Sequence, residues 1–254
     1  MSRTFSLPLA ALLACSALAL AAQAPSVDSA LRAKAVAGDA HAQLIVSQAY
    51  AQASDYAQAA VWLRRSADQG LAEAQLQLGL LYDHGDGVPQ DYAQAAGWYR
   101  KAALQNSADA EYNLGVLYER GEGVPQDYAQ AADLYRRAAT QGLASAQFNL
   151  ALLYDNGQGV ERDFTQAASW YRKAAEQGVS RAQYNLGSMY AGGQGVPRDL
   201  VESYYWLDLA ASTWNGSRQQ QAIEARNKVG ARLSAADLAA AQDRVAKWLA
   251  ARQK

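Results

Sequence analysis

The chain has 254 residues and 50% of them are hydrophobic, which is enough to bury a core in one or two ordinary domains. Its 23 Lys and Arg residues nearly balance its 24 Asp and Glu residues. A protein that holds the phosphate backbone of a nucleic acid needs a basic face, so this balance argues against nucleic acid as the partner.

Residues 1–24 are predicted to form a signal peptide. Arg3 supplies the positive charge near the N-terminus, and an almost unbroken apolar run extends from Leu7 to Ala22. Ala22-Gln23-Ala24 then supplies the small residues of a cleavage site. The run is short for a helix that spans a membrane. We therefore expect an exported protein, most simply a periplasmic one.

Cys15 is the only cysteine and is a candidate lipidation site. It follows Leu12-Leu13-Ala14, which is similar to the lipobox of bacterial lipoproteins. Because the apolar run continues beyond Cys15, a cysteine that is discarded with the signal peptide is the alternative. Membrane contact is expected only if Cys15 is lipidated, and a lipid anchor or secretion are the alternatives to a periplasmic location.

A repeated motif dominates the rest of the chain. The pattern Leu-Tyr-x-x-Gly-x-Gly-Val-x-x-Asp occurs three times at a step of 36 residues, and a fourth time with Met189 in place of Leu. A step of that length indicates one supersecondary element per repeat, stacked on its neighbours. In chain order the predicted segments are an N-terminal capping helix at 25–37, repeat 1 at 38–69, repeat 2 at 70–105, repeat 3 at 106–141, repeat 4 at 142–177, repeat 5 at 178–212, and C-terminal capping helices at 213–254.

The first helix of each pair is identified by its apolar spacing. In the third repeat Ala110, Leu114 and Tyr118 recur at steps of four residues, which is one face of a helix. Gly115 lies inside that helix, where glycine costs about 1 kcal/mol relative to Ala. Gly115, and Gly187 at the same position of the fifth repeat, therefore predict the close approach of a neighbouring helix.

The second helix of each pair has a defined start. Gly121 ends the preceding helix, Pro125 cannot continue it, and Asp127 begins the next helix with Gln130 three residues later. An acidic residue followed by Gln or Glu at this spacing predicts a capping box. The same pair recurs as Asp55/Gln58, Asp91/Gln94, Asp163/Gln166 and Asp199/Glu202.

The pattern ends after Ala211. A helix from Ser217 to Leu233, weakened at Gly230, and a further helix capped by Ser234 are predicted there. Such helices suit the role of covering the open end of a stack.

The combination of Ala-x-x-x-Leu-Gly-x-x-Tyr, Gly-x-Gly-Val-Pro-x-Asp and Ala-x-x-Trp-Tyr-x-x-Ala-Ala-x-x-Gly resembles the Sel-one-like repeat (SLR), a variant of the tetratricopeptide repeat, over roughly residues 38 to 212. The resemblance implies an all-α fold, a right-handed α/α superhelix (solenoid) of about five helix-pair repeats with capping helices at both ends. It also implies a non-enzymatic scaffold for protein complexes. Bacterial members are often exported and assist in envelope assembly, polysaccharide secretion, signalling or host contact.

An enzymatic function is not expected. A cysteine-rich branch of the family is linked to β-lactamase activity, but this chain lacks the cysteines of that branch. The only histidines, His41 and His84, lie in different repeats without a metal-ligand spacing, so neither a metal nor a cofactor is predicted. Asp83, Glu119 and Asp155 recur at one repeat position and are interpreted as a solvated edge.

The resemblance further implies that the first helix of each pair lines a concave groove. We predict that the groove binds an extended peptide, because an amide both donates and accepts hydrogen bonds and aromatic rings add apolar contact. The alternatives are that each Asn bonds the adjacent helix for packing, or that the groove holds a neutral glycan as an envelope assembly factor. The oligomeric state is left open. The predicted groove residues are Gln77, Asn113, Asn149 and Asn185, the aromatic residues Tyr112, Phe148 and Tyr184, and the cation Arg120.

Overall fold

The computed structural model of the chain describes residues 26–252, and in that range the chain forms thirteen α-helices and no β-strand. The predicted all-α fold is confirmed. The predicted signal peptide and Cys15 lie outside the described residues. The helices are α1 (Ser29–Val36), α2 (Ala40–Gln52), α3 (Tyr56–Asp68), α4 (Ala72–His84), α5 (Tyr92–Ala103), α6 (Ala108–Arg120), α7 (Tyr128–Thr140), α8 (Ala144–Asn156), α9 (Phe164–Glu176), α10 (Ser180–Gly192), α11 (Leu200–Thr213), α12 (Gly216–Gly230) and α13 (Ala235–Ala251).

These helices divide into two compact units. The first unit extends to Gln90 and contains α1 to α4, and the second unit begins at Asp91 and contains α5 to α13. Within each unit, consecutive helices from α1 to α4 and from α5 to α12 pack against one another. Each unit is therefore a stack of helix pairs, as the repeat pattern predicts. The boundary falls between the two helices of the predicted repeat at 70–105.

The aspartates that start the second helices cap them as predicted, but the reciprocal bond of a capping box, from the aspartate N–H to the Gln side chain, is replaced by a backbone bond at Asp127 and Asp163. The N–H of Asp127 donates to the carbonyl oxygen of Tyr118 at 2.9 Å, so it has a backbone partner instead of the Gln130 side chain. The same bond joins Asp163 to Tyr154 at 3.0 Å. Each aspartate thus caps its helix and also closes the preceding loop. The caps are Asp55 to the N–H of Gln58, Asp91 to Gln94, Asp127 to Ala129 and Gln130, Asp163 to Thr165 and Gln166, and Asp199 to Val201 and Glu202.

Two kinds of glycine are required by the stack. Gly159, in the loop after α8, has φ +68°, and a Cβ there would overlap the backbone carbonyl group of Tyr128 at the start of α7. Inside α6, a Cβ at Gly115 would lie 2.8 Å from a ring carbon of Tyr135. The predicted close approach at Gly115 is therefore confirmed, and Gly187 lies equally close to Leu207.

The repeat geometry continues one helix beyond the repeated sequence. The amide nitrogen of Gln219 in α12 donates to the carbonyl oxygen of Ala211 at 3.2 Å, as Gln183 donates to Ala175 at 3.1 Å one repeat earlier. α12 ends at Gly230 and not at the predicted Leu233, and a Cβ at Gly230 would lie 3.0 Å from the Tyr204 ring.

The last helix, α13, starts at the predicted cap, Ser234, whose hydroxyl accepts from the N–H of Asp237 at 3.1 Å. Val245 and Trp248 of α13 pack on a core cluster that includes Tyr171 and Trp206. α13 therefore covers part of the end of the second unit. No helix within residues 26–252 combines the length and the apolarity needed to cross a membrane.

Candidate functional site

Three of the predicted groove amides lie at the same position of successive first helices in the second unit. Asn113 is on α6, Asn149 on α8 and Asn185 on α10, and all three side chains are half-buried. We call these three residues the amide row. Gln77 lies at the matching position of α4 in the first unit, is half-buried as well, and donates from its amide nitrogen to Glu73 at 3.2 Å.

Asn149 lies beside a buried tyrosine. Tyr135 on α7 has no exposed surface, and its hydroxyl donates to a carboxylate oxygen of Glu119 on α6 at 2.5 Å. Burial raises the pKa of the Tyr135 hydroxyl well above its usual value, Glu119 raises it further, and the Asn149 amide lowers it. Because the hydroxyl already donates its one hydrogen to Glu119, the amide can only present an N–H to it. The hydroxyl thus bonds α6 to α7 and lies next to a side chain of α8.

The next repeat has the same arrangement. The buried hydroxyl of Tyr171 on α9 donates to Asp155 at 3.1 Å. Burial raises the pKa of the Tyr171 hydroxyl well above its usual value, with a contribution from Asp155, and a hydrogen bond from Asn185 lowers it. The interpretation of Glu119 and Asp155 as a solvated edge is therefore wrong, because both carboxylates accept a bond from a buried hydroxyl.

The sequence contains a regularity that could have revealed this arrangement. An acidic residue stands 16 positions before each of the three tyrosines and an Asn stands 14 positions after it. Where leucine replaces the tyrosine, the acid is alanine and the Asn is glutamine. The sets are Ala51/Leu63/Gln77, Asp83/Tyr99/Asn113, Glu119/Tyr135/Asn149, Asp155/Tyr171/Asn185 and Ala191/Leu207/Gln221. In the first set Ala51 is only 12 positions before Leu63, because the loop between α2 and α3 is four residues shorter than that between α6 and α7.

This packing role describes Asn149 and Asn185, and it was the alternative to peptide binding. It does not exclude binding, because an amide carries one oxygen and two N–H groups and the bond to the tyrosine uses one N–H. The binding role of the row stays a prediction.

The aromatic residues next to the amides differ in access. Phe148 is only 4% exposed, and the guanidinium of Arg181 lies over its ring at 4.6 Å from the centroid. Tyr112 and Tyr184 are half-buried, and Tyr112 packs on Tyr135 with ring centroids 5.8 Å apart. A partner could therefore contact Tyr112 and Tyr184 more readily than Phe148.

Arg120 lies at the last position of α6, seven residues after Asn113, which places both on about the same side of the helix, roughly two turns apart. Its side chain is 64% exposed and pairs with Glu122 at 3.6 Å. An ion pair this exposed contributes little free energy, so its partners separate easily. Arg120 is thus available to an anionic group of a partner. Within residues 26–252, no group of His, Cys, Asp and Glu residues forms a candidate metal site.

Comparison with known proteins gives a consistent match. The family model described as Sel1 repeat matches residues 47–71, 72–107, 108–143, 144–179 and 180–212. A search of curated proteins finds no match.

Solved structures that are similar to this chain include two bacterial repeat proteins. A protective antigen present in uropathogenic Escherichia coli strains, displaying an SLR fold, is 38% identical with a TM-score of 0.70 over 79% of this chain and 48% of that chain. A Sel1 repeat protein from Oxalobacter formigenes is 35% identical with a TM-score of 0.68 over 73% of this chain and 78% of that chain. This chain thus spans about half the length of the E. coli antigen.

Proposed function

Because the chain belongs to the Sel1 repeat family, whose members are protein-interaction scaffolds, we propose that it binds an extended segment of a protein partner along its amide row. The fold is in general a non-catalytic binding scaffold, and the proposed activity is binding alone.

The observation that carries the proposal is the recurrence of half-buried amides at one position of successive repeats. Asn149 lies beside the buried Tyr135 hydroxyl and Asn185 beside the buried Tyr171 hydroxyl, and each amide lowers the pKa of its tyrosine, so one N–H of each amide faces inward. A side chain that is already ordered loses less entropy when a ligand binds. The amide oxygen and the second N–H are the groups that would meet the partner.

The chemistry of the row suits a peptide backbone. A backbone offers one N–H and one C=O per residue, and an amide side chain complements both. Half-buried Tyr112 and Tyr184 would add apolar contact on either side. The row would therefore bind an extended segment with limited regard to its side chains.

We propose further that the protein acts in the bacterial cell envelope, in the periplasm. Residues 1–24 support this through their signal-peptide pattern, and the similar structures come from bacteria. The mass of the mature N-terminus, measured on protein isolated from its own cells, tests it. Removal of 24 residues or so is expected, and a lipidated Cys15 would instead show a membrane anchor.

The binding proposal is tested with peptides selected on the full chain from a random twelve-residue display library. Replacing Asn113 and Asn149 by Ala is expected to weaken a selected peptide about tenfold or more, measured by fluorescence anisotropy, because two hydrogen bonds are lost. Unchanged affinity in a folded variant would contradict the proposal.

The matched control is Tyr135→Phe. This change removes the hydroxyl that holds Asn149 but leaves the amide in place, so it is expected to weaken the peptide much less than Asn149→Ala. Equal losses would show that Asn149 contributes only through packing. A purified chain that hydrolysed a β-lactam with real turnover would overturn the scaffold proposal altogether.

A further inference from the structure

The first unit contains an apolar pocket of about 180 Å³ between α2, α3 and α4. Its lining includes Ser47 and Ala51 of α2, Leu63 of α3, and Gln77 of α4. Leu80 and Leu81 of α4 complete the apolar wall. Gln77 was predicted from sequence to bind a partner, so the pocket opens beside a candidate binding residue.

Residues that line the pocket correspond in the repeat register to residues that surround a tyrosine ring in the second unit. There Gly115 closely approaches the Tyr135 ring, Glu119 accepts a hydrogen bond from its hydroxyl, and Asn149 lies beside that hydroxyl. The repeat register pairs the four pocket positions with those four residues. The pairs are Ser47 with Gly115, Ala51 with Glu119, Leu63 with Tyr135, and Gln77 with Asn149.

The first unit cannot fill this place with a ring of its own. Leu63 is shorter than tyrosine and is itself buried. A Cβ at Gly115 would lie 2.8 Å from the Tyr135 ring, so the Cβ of buried Ser47 would obstruct a tyrosine at position 63 in the same way. The space beyond Leu63 is therefore left as a pocket.

We infer that this pocket receives one phenylalanine side chain of the protein partner. The inference rests on the proposed function and names the anchor residue of that partner. The pocket is the space that remains with Ser47 and Leu63 in place, so a ring that enters from a partner does not meet the obstruction that a tyrosine at position 63 would meet. The size agrees, since an apolar cavity of about 150 Å³ binds benzene in another protein.

The polar surroundings favour phenylalanine over tyrosine. In the second unit, Glu119 accepts the hydrogen bond of the tyrosine hydroxyl. In the first unit, Ala51 holds the corresponding position, and its side chain has no acceptor. The Ser47 hydroxyl already donates to the carbonyl oxygen of Leu44 at 2.7 Å, and no carboxylate is among the residues that line the pocket. A buried phenol hydroxyl would thus lack the partner it has at Tyr135, and burying an unpaired hydroxyl is unfavourable.

The first test uses toluene and p-cresol, the side-chain analogues of phenylalanine and tyrosine, on the full chain. Toluene is expected to shift the methyl resonances of Leu63, Leu80 and Leu81 saturably in ¹H–¹³C NMR spectra, and p-cresol is expected to bind about fivefold more weakly. Ala51→Glu, which restores the acceptor, is expected to reverse that preference. Absence of a saturable shift with toluene would overturn the inference, whatever the amide row does.

The second test asks whether a partner uses the pocket. Peptides selected on the full chain are expected to share a phenylalanine whose replacement by Ala weakens binding at least about tenfold. The double variant Ser47→Gly with Leu63→Tyr fills the pocket from inside and is expected to reduce peptide binding to the same extent. Ala51→Leu fills it from α2 and serves if the double variant does not fold.

The outcomes separate the two proposals. A selection that yields only peptides that bind through Asn113 and Asn149, with none affected by the filled pocket, would overturn this inference and leave the proposed function intact. Peptides that lose affinity in the filled variant support this inference, and peptides that lose affinity in the Asn variant support the proposed function. A chain that binds toluene but selects no peptide would contradict the proposed function and, with it, a partner side chain in the pocket.

Discussion

The interface between successive helix pairs is built differently in the two units. In the second unit, Tyr135 is buried between α6, α7 and α8, and its hydroxyl donates to Glu119 and lies beside Asn149. In the first unit, Leu63 leaves the corresponding space between α2, α3 and α4 as a pocket. The same helix-pair backbone thus supports either a closed, hydrogen-bonded interface or an open apolar one.

This difference shows that the identity of the groove amide follows the tyrosine behind it. The groove amide is Asn in the sets that contain the tyrosine, and it is Gln in the sets that have leucine instead of the tyrosine. Packing therefore selects the amide, and a partner would use what packing has left accessible. For this reason a loss of binding in an Asn variant has to be judged against the matching tyrosine variant.

The largest loss of stability is expected at a glycine that makes the same close backbone contact in both units. Gly159→Ala should lower the free energy of unfolding by about 3 to 5 kcal/mol, because the new Cβ overlaps the backbone of Tyr128 and Gly159 has a positive φ. Gly87→Ala should do the same in the first unit, against Tyr56. Urea denaturation of both variants measures this.

The control for these variants is Gly142→Ala. Gly142 has φ +96° but nothing within 4 Å of an added Cβ, so about 1 to 2 kcal/mol of strain alone is expected. Equal losses at Gly142 and Gly159 would show that backbone strain, and not the contact between repeats, explains the second glycine of the Gly-x-Gly turn.

The next effect tests the closed interface directly. Tyr135→Leu should lower the free energy of unfolding by about 2 to 4 kcal/mol, because a buried ring and its hydrogen bonds are lost. Adding Gly115→Ser, Glu119→Ala and Asn149→Gln to it reproduces the arrangement of the first unit. The four changes together should cost less than the sum of their separate losses, since the partners of the hydroxyl leave with it. Simple additivity in thermal and urea unfolding would refute the coupling.

A smaller effect should appear at high pH. Burial raises the pKa of the Tyr135 and Tyr171 hydroxyls, so the folded chain retains these protons above pH 10 while the unfolded chain releases them. Stability is therefore intact below about pH 10 and falls above it, by about 1.4 kcal/mol per pH unit for each tyrosine. Tyr171→Phe should reduce the slope of the unfolding free energy against pH by one such contribution. An unchanged slope between pH 10 and pH 11.5 would mean that Tyr171 titrates normally.

The smallest loss of stability is expected at the helix caps, and it should be of similar size in the two units. Asp163→Ala and Asp55→Ala should each lower the free energy of unfolding by about 1 kcal/mol through loss of the bond to the first-turn N–H groups. Replacement of Gln166 by Ala should have little effect, because the N–H of Asp163 bonds to Tyr154 instead. If Gln166→Ala lowered the free energy of unfolding as much as Asp163→Ala, the Gln166 side chain would have to bond to the N–H of Asp163, as in a reciprocal capping box.

Much of the fold follows from local sequence. The caps at Asp55 to Asp199 and the close approach at Gly115 were predictable because each depends on residues near in the chain or on a repeated exception to helix propensity. The partner of the Asp127 N–H was not, because the carbonyl of Tyr118 competes with the Gln130 side chain only once the loop has closed. The contacts of α12 were missed as well, although Gln219 follows Gln147 and Gln183 at the same step of 36 residues, because the other residues of the repeat motif are absent from α12.

By itself, the sequence determined that paired helices repeat every 36 residues, where each second helix begins, and which side chains share a position in every repeat. Periodicity and capping are local, so they can be read without knowing what lies opposite. Only the tertiary structure decided that Asn149 and Glu119 meet at the hydroxyl of Tyr135, and that a pocket remains beside Leu63 while the Tyr135 ring is fully buried. Those outcomes depend on the volume and hydrogen-bonding groups that three packed helices bring to one place.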